Sequence, residues 1–149
     1  MTTPQVIAVN ISAGGIPKLP VSEGDLNGDG LLGDVHAHAK HVRPDRAVSL
    51  LDYEIILELG REGFLVWPGR MGENLTLVGV DVQRMSPGTE LTIDEAVLRL
   101  EAPRKPCYVL DAIDPRLKEA AVGRCGYMAS VVRGGLIRPG AAVRIHSMV

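Results

Sequence analysis

The chain of 149 residues is poor in aromatic side chains, with one Trp, one Phe and three Tyr. Surfaces that hold single-stranded nucleic acid stack bases on rings set along a groove, and five rings are too few. An excess of one charge is lacking too. Sixteen basic side chains face eighteen acidic ones, for a net charge of −2 and a pI near 6.1. No broad basic face is implied, so no nucleic-acid partner is expected. Cysteine occurs twice, at Cys107 and Cys125. A disulfide framework is not expected at that density, and a reducing, cytoplasmic setting is. No apolar run approaches the ~20 residues of a membrane span. The opening Met-Thr-Thr-Pro-Gln lacks the basic and apolar stretches of a secretory leader. No membrane partner is therefore expected.

What remains is aliphatic. Hydrophobic residues make up 46% of the chain, enough for a core of Val, Leu, Ile and Ala in a single domain over residues 1–149. Seventeen glycines and ten prolines are spread along the chain and punctuate short segments, the pattern of a β-rich domain. Strands are expected over Gln5–Asn10, Ile16–Val21, around Leu75–Leu77, and over Thr89–Asp94, Ala96–Glu101, Met128–Arg133 and Ala141–Ile145. Gly24–Asp34 reads as turn-rich. Ala47–Gly60 reads as a helix, because Val48, Leu51, Ile55 and Leu59 fall at helical spacing. A second helix is expected over Asp114–Ala121, capped by Asp114 with Pro115 in its first turn. The fold class expected is mainly β, a small barrel of short strands with one or two helices.

The most pointed segment is Ala102-Pro103-Arg104-Lys105-Pro106-Cys107. Two prolines stiffen the turn. Arg104 and Lys105 stand beside the thiol and favour the thiolate, the form that attacks, binds metal or carries sulfur. An ordinary buried cysteine at a strand start is the alternative, and the local sequence leaves both open. Cys125, in Gly123-Arg124-Cys125-Gly126, could resolve Cys107 as a disulfide or be a loop thiol without a role. His36, His38 and His41 lie close enough to suggest a metal site; alternation with Ala also describes a solvated loop. Asp25-Leu26-Asn27-Gly28-Asp29-Gly30 matches the first half of a calcium loop, but the twelfth position is His36 rather than the required Glu. Asp45 precedes the first expected helix as a cap. Arg46 there opposes the helix dipole, which frees it for an anion. In Pro68-Gly69-Arg70-Met71-Gly72-Glu73-Asn74 the glycines let backbone approach a ligand, Arg70 can grip phosphate, and Asn74 both donates and accepts.

In this order the segments resemble the MOSC family, named for the C-terminal domain of molybdenum cofactor sulfurase. The matching residues are Gly33-Asp34, His41 with Pro44-Asp45-Arg46-Ala47-Val48, Gly72-Glu73-Asn74-Leu75, Pro103-Arg104 with Pro106-Cys107, and Met128 to Gly140 as a last hairpin. Ser12 to Lys18 looks like the start of the small stand-alone bacterial members. The resemblance implies a compact strand-rich barrel and an association with the molybdenum cofactor, a pterin dithiolene bearing phosphate. It implies that Cys107 carries persulfide sulfur or ligates molybdenum. Lys18, Arg46 and Arg70 would hold phosphate and pterin oxygens, and Asn74 the pterin edge. His41, Asp45, Glu73, Arg104 and Lys105 complete the implied cofactor-binding set. Departures are His41-Val42-Arg43, where the family has His-Gly-Gly, and Pro87-Gly88-Thr89, where it has Gly-Asp. No pyridoxal phosphate site is expected, so persulfide would come from a cysteine desulfurase or other sulfur donor, with a molybdoenzyme or redox partner downstream. The expected function is a sulfur carrier or cofactor-binding module. The alternatives are a molybdenum-dependent reductase of N-hydroxylated compounds with a separate electron donor, and a metalloprotein using His36, His38 and His41.

Overall fold

A computed structural model describes residues 2–35 and 44–146. Its strands are β1 (Gln5–Ile11), β2 (Leu19–Val21), β3 (Gly24–Asn27), β4 (Gly30–Leu31), β5 (Val48–Asp52), β6 (Leu75–Val78), β7 (Glu90–Ile93), β8 (Ala96–Pro103), β9 (Tyr127–Arg133), β10 (Gly135–Ile137) and β11 (Val143–His146). The helices are α1 (Tyr53–Arg61) and α2 (Leu117–Ala120). Eight strands form one curled sheet in the order β11-β7-β8-β9-β5-β6-β1-β2, and β10-β3-β4 form a smaller one. Val6 N–H donates to the Ala141 carbonyl (2.9 Å), and Val143 N–H to Pro4 (3.0 Å). These bonds tie β1 to the segment entering β11, so two distant strands of the sheet meet and the barrel closes. The fold is mainly β, as the alternation in β1, β7 and β8 requires.

The helix expected over Ala47–Gly60 is corrected. Val48–Asp52 is a strand, and the helix begins at Tyr53. All five residues of β5 are buried, because it lies centrally, parallel to β6 and antiparallel to β9. A strand covered on both faces reads as a continuous apolar run, and Val48 and Leu51 matched helical spacing by coincidence. Val48 and Leu50 face the barrel core with Leu75, Leu77 and Leu98. Leu51 faces a second cluster with Ile55, Leu59, Leu110, Leu117 and Cys125. That second cluster lies under α1 and α2, and the candidate site borders it.

The second expected helix is shorter, Leu117–Ala120, and Asp114 is not its cap: Arg116 holds that position without a side-chain cap bond, and Asp114 Oδ1 accepts the Arg116 N–H (2.8 Å) in the turn before the helix. The turn-rich Gly24–Asp34 contains the β3–β4 pair. Expectation omitted β10, which pairs with the distant β3, and the 3-10 turn Tyr108–Ala112.

Candidate functional site

β8 ends at Pro103, opposite Tyr127. One step on, the Arg104 N–H donates to the Gly126 carbonyl (2.9 Å). Gly126 has φ +88°, and a Cβ there would drive into the Leu50 carbonyl. Only glycine lets β9 start this tightly against β5, and that start anchors the basic turn. The chain then leaves the sheet. Cys107 is extended, and its carbonyl accepts the Leu110 N–H (3.1 Å), opening the turn Tyr108–Ala112. The half-buried thiol is thus fixed between a strand end and a 3-10 turn.

The Arg104 side chain reaches the loop before β6. Gly72 has φ +93°, and a Cβ there would lie 3.1 Å from Arg104 Nη2 and 2.9 Å from Ile16 Cγ2. The guanidinium lies against bare backbone. Arg104 Nη1 is buried and has no hydrogen-bond partner. Two residues before Gly72, Arg70 lies over the Trp67 ring (4.5 Å to its centroid), and its buried Nε also lacks a partner. Five other arginines behave differently. Arg84, Arg99, Arg116, Arg124 and Arg138 each pair with a carboxylate. Arg46, Arg70 and Arg104 are half-buried and have no ion-pair partner among the described residues. Withdrawing a cation from water without a partner is costly, so such a group is suited to an anionic ligand.

Behind these cations lies a polar cluster. Glu73 is fully buried. Its Oε2 accepts the Gly69 N–H (2.9 Å) and the Thr76 hydroxyl (2.7 Å), while Oε1 has no partner. Burial pushes its carboxyl above the usual range, with the backbone bond from Gly69, the Thr76 hydroxyl and the Arg104 charge acting the other way. Asn74 Oδ1 accepts the Ser49 N–H (3.0 Å), and its Nδ2 donates to the Asn10 carbonyl (3.2 Å) and Asp34 Oδ2 (3.0 Å). Asp34 in turn takes the Lys18 ammonium at 2.7 and 2.8 Å.

The residues expected at the site therefore divide. Arg104 reaches the Pro68–Asn74 loop that carries Arg70 and Glu73, and Cys107 follows three residues after Arg104 in the turn that leaves β8. Lys18 and Asn74 form the loop's back wall, with their polar groups engaged inside the protein. Asp45 and Arg46 lie in a 3-10 turn (Pro44–Arg46) that packs on β9. Lys105 is exposed. His36, His38 and His41 lie outside the described residues. Among those described, no group of three His, Cys, Asp or Glu is placed to hold a metal. Asn10 and Ser49 were missed. Each is a polar residue inside an apolar strand run, and such a residue when buried must find hydrogen bonds; that was the available signal.

Cys125 stands on the other side of the turn, 1% exposed. Burial pushes its thiol up and Arg104 opposes the shift.

A strand-rich barrel with a cysteine held after its eighth strand defines a family. The MOSC domain is matched over residues 37–144, and the chain belongs to that molybdenum cofactor-related family. Similar proteins are the uncharacterized protein YflK of Bacillus subtilis (32% identity over 72% of this chain) and YiiM of Escherichia coli (32% over 80%). The matches cover 51% and 58% of those two proteins, so the chain spans little more than half the length of these curated relatives. The crystal structure of Escherichia coli YiiM superposes with a TM-score of 0.76 at 26% identity, over 97% of this chain and 71% of that one. The YuaD protein of Bacillus subtilis shares the fold, with a TM-score of 0.84 at 20% identity over 99% of this chain and 98% of its own. Among the described residues no helix is long and apolar enough to cross a membrane.

Proposed function

We propose that the chain is a molybdenum-cofactor-associated sulfur carrier or cofactor-binding module in which Cys107 carries persulfide sulfur or ligates molybdenum. What supports this reading most is the pair of half-buried guanidinium groups without an ion-pair partner among the described residues, Arg70 and Arg104, the second standing three residues before the half-buried Cys107. The residues fit such a cofactor. Arg70 and Arg104 suit phosphate and pterin oxygens, with Arg46 and Lys105 available at the periphery. Glu73 Oε1 can take a hydrogen bond from a pterin N–H. When bound, the molybdenum would supply a thiophilic centre, for which a cysteine thiolate is an apt ligand.

The chain's own step is sulfur acceptance. The Cys107 thiolate attacks the outer sulfur of a persulfide on a cysteine desulfurase. The donor's S–S bond breaks, its cysteine leaves as thiolate, and Cys107 becomes the persulfide. Arg104, in the same turn, would offer its charge to the sulfur carried there. Incubated with a cysteine desulfurase and cysteine, the protein is expected to gain one labile sulfur on Cys107, read by mass spectrometry, and Cys107→Ala to gain none. Equal loading of the variant would overturn the proposal.

A further inference from the structure

A sulfur carried as persulfide is at the sulfane level. Releasing it as sulfide requires two electrons. The chain has one cysteine besides Cys107, and the fold brings it to the same turn. Pro103 is opposite Tyr127, and the Arg104 N–H is bonded to the Gly126 carbonyl. That bond sets Arg104, three residues before Cys107, against Gly126, the immediate neighbour of Cys125. Leu110, whose N–H is bonded to the Cys107 carbonyl, packs in the same buried cluster as Cys125, with Leu117 and Ala121. Both thiols are free. From these placements, and resting on the reading of Cys107 as sulfur acceptor, we infer that Cys125 is the resolving thiol of the site, discharging the Cys107 persulfide as hydrosulfide and leaving a Cys107–Cys125 disulfide.

The step balances. The Cys125 sulfur attacks the inner sulfur of the Cys107 persulfide and forms the new S–S bond. The bond to the outer sulfur breaks, and that sulfur leaves with the electron pair as hydrosulfide. The two cysteines are oxidised by two electrons and the sulfane sulfur is reduced by two. The Cys125 proton goes to solvent or to the leaving hydrosulfide. A low-molecular-weight or protein dithiol then returns both cysteines to thiols. The Arg104 charge acts on Cys125, opposing the rise that burial causes. Burial of Cys125 closes it to external reagents, so its approach is from Cys107.

The test begins with Cys107 loaded by a cysteine desulfurase, excess cysteine removed and no reductant present. Wild-type protein is expected to release about one hydrosulfide per chain and to yield a Cys107–Cys125 peptide in a mass map. Cys125→Ala and Cys125→Ser are expected to retain the extra sulfur on Cys107 and to release it about 10-fold more slowly or worse. Equal release from wild type and both variants, or release without the bridged peptide, overturns the inference. Failure to load Cys107 at all counts against the sulfur-carrier reading alone. Diamide oxidation of the reduced protein then decides the pair by itself. An intramolecular Cys107–Cys125 bridge sustains it. Two unbridged thiols, or dimers joined through Cys107, overturn it.

Discussion

Asn74 shows how much one side chain organises here. Its amide joins β1 through Asn10, β5 through Ser49 and the segment after β4 through Asp34. It holds the loop that carries Arg70 and Gly72 in place and has little capacity left for a ligand. Asn74→Ala would leave several buried polar groups unpaired. A loss of about 3 kcal/mol or more in chemical denaturation is expected; a loss below about 1 kcal/mol would show that the cluster is not the support described. The residue types at the site were legible because Arg70, Asn74, Arg104 and Cys107 come in recognisable order beside Gly and Pro. Their partners were not. The contact of Arg104 with Gly72 and the bond of Lys18 to Asp34 join segments whose spacing in sequence carries no sign of the contact.

Among elements, β5 and the helix that follows it have the most to teach. Asp52, where β5 meets α1, does not cap the helix with its side chain. Its carboxylate instead accepts the N–H groups of Val82 (2.9 Å) and Gln83 (3.1 Å), fixing the 3-10 turn Val82–Arg84. Burial raises its pKa from 3.8 to about 6, against those two bonds. A raised carboxyl binds its proton more tightly folded than unfolded, so folding is favoured at low pH, and that contribution is lost as pH climbs from about 4 to about 6. The displacement is worth roughly 3 kcal/mol. Urea unfolding across that range should show wild type losing stability relative to Asp52→Asn. Parallel curves for the two proteins would refute the assignment. The alternation of β7 and β8 was readable because one face of each strand is less buried. That of β5 was not, because the sheet and the helices cover both faces, and three-residue β10 exists through its pairing with β3.

At the scale of the molecule, a slightly acidic chain keeps two half-buried arginines, Arg70 and Arg104, without an ion-pair partner among the described residues. Arg84, Arg99, Arg116, Arg124 and Arg138 are neutralised by neighbouring carboxylates, while half-buried Arg70 and Arg104 are left to an anion. Low aromatic content, which first counted against nucleic acid, has another consequence. Trp67 is the molecule's single tryptophan, so all tryptophan emission, excited selectively beyond the tyrosine band, comes from the indole on which Arg70 rests. An anion drawn to that guanidinium shifts the charge lying on the ring's face. The protein therefore carries its own optical gauge of occupancy. Titration with pyrophosphate should change Trp67 emission saturably, and Arg70→Gln should abolish the response. An undiminished response in that variant would place the anion elsewhere.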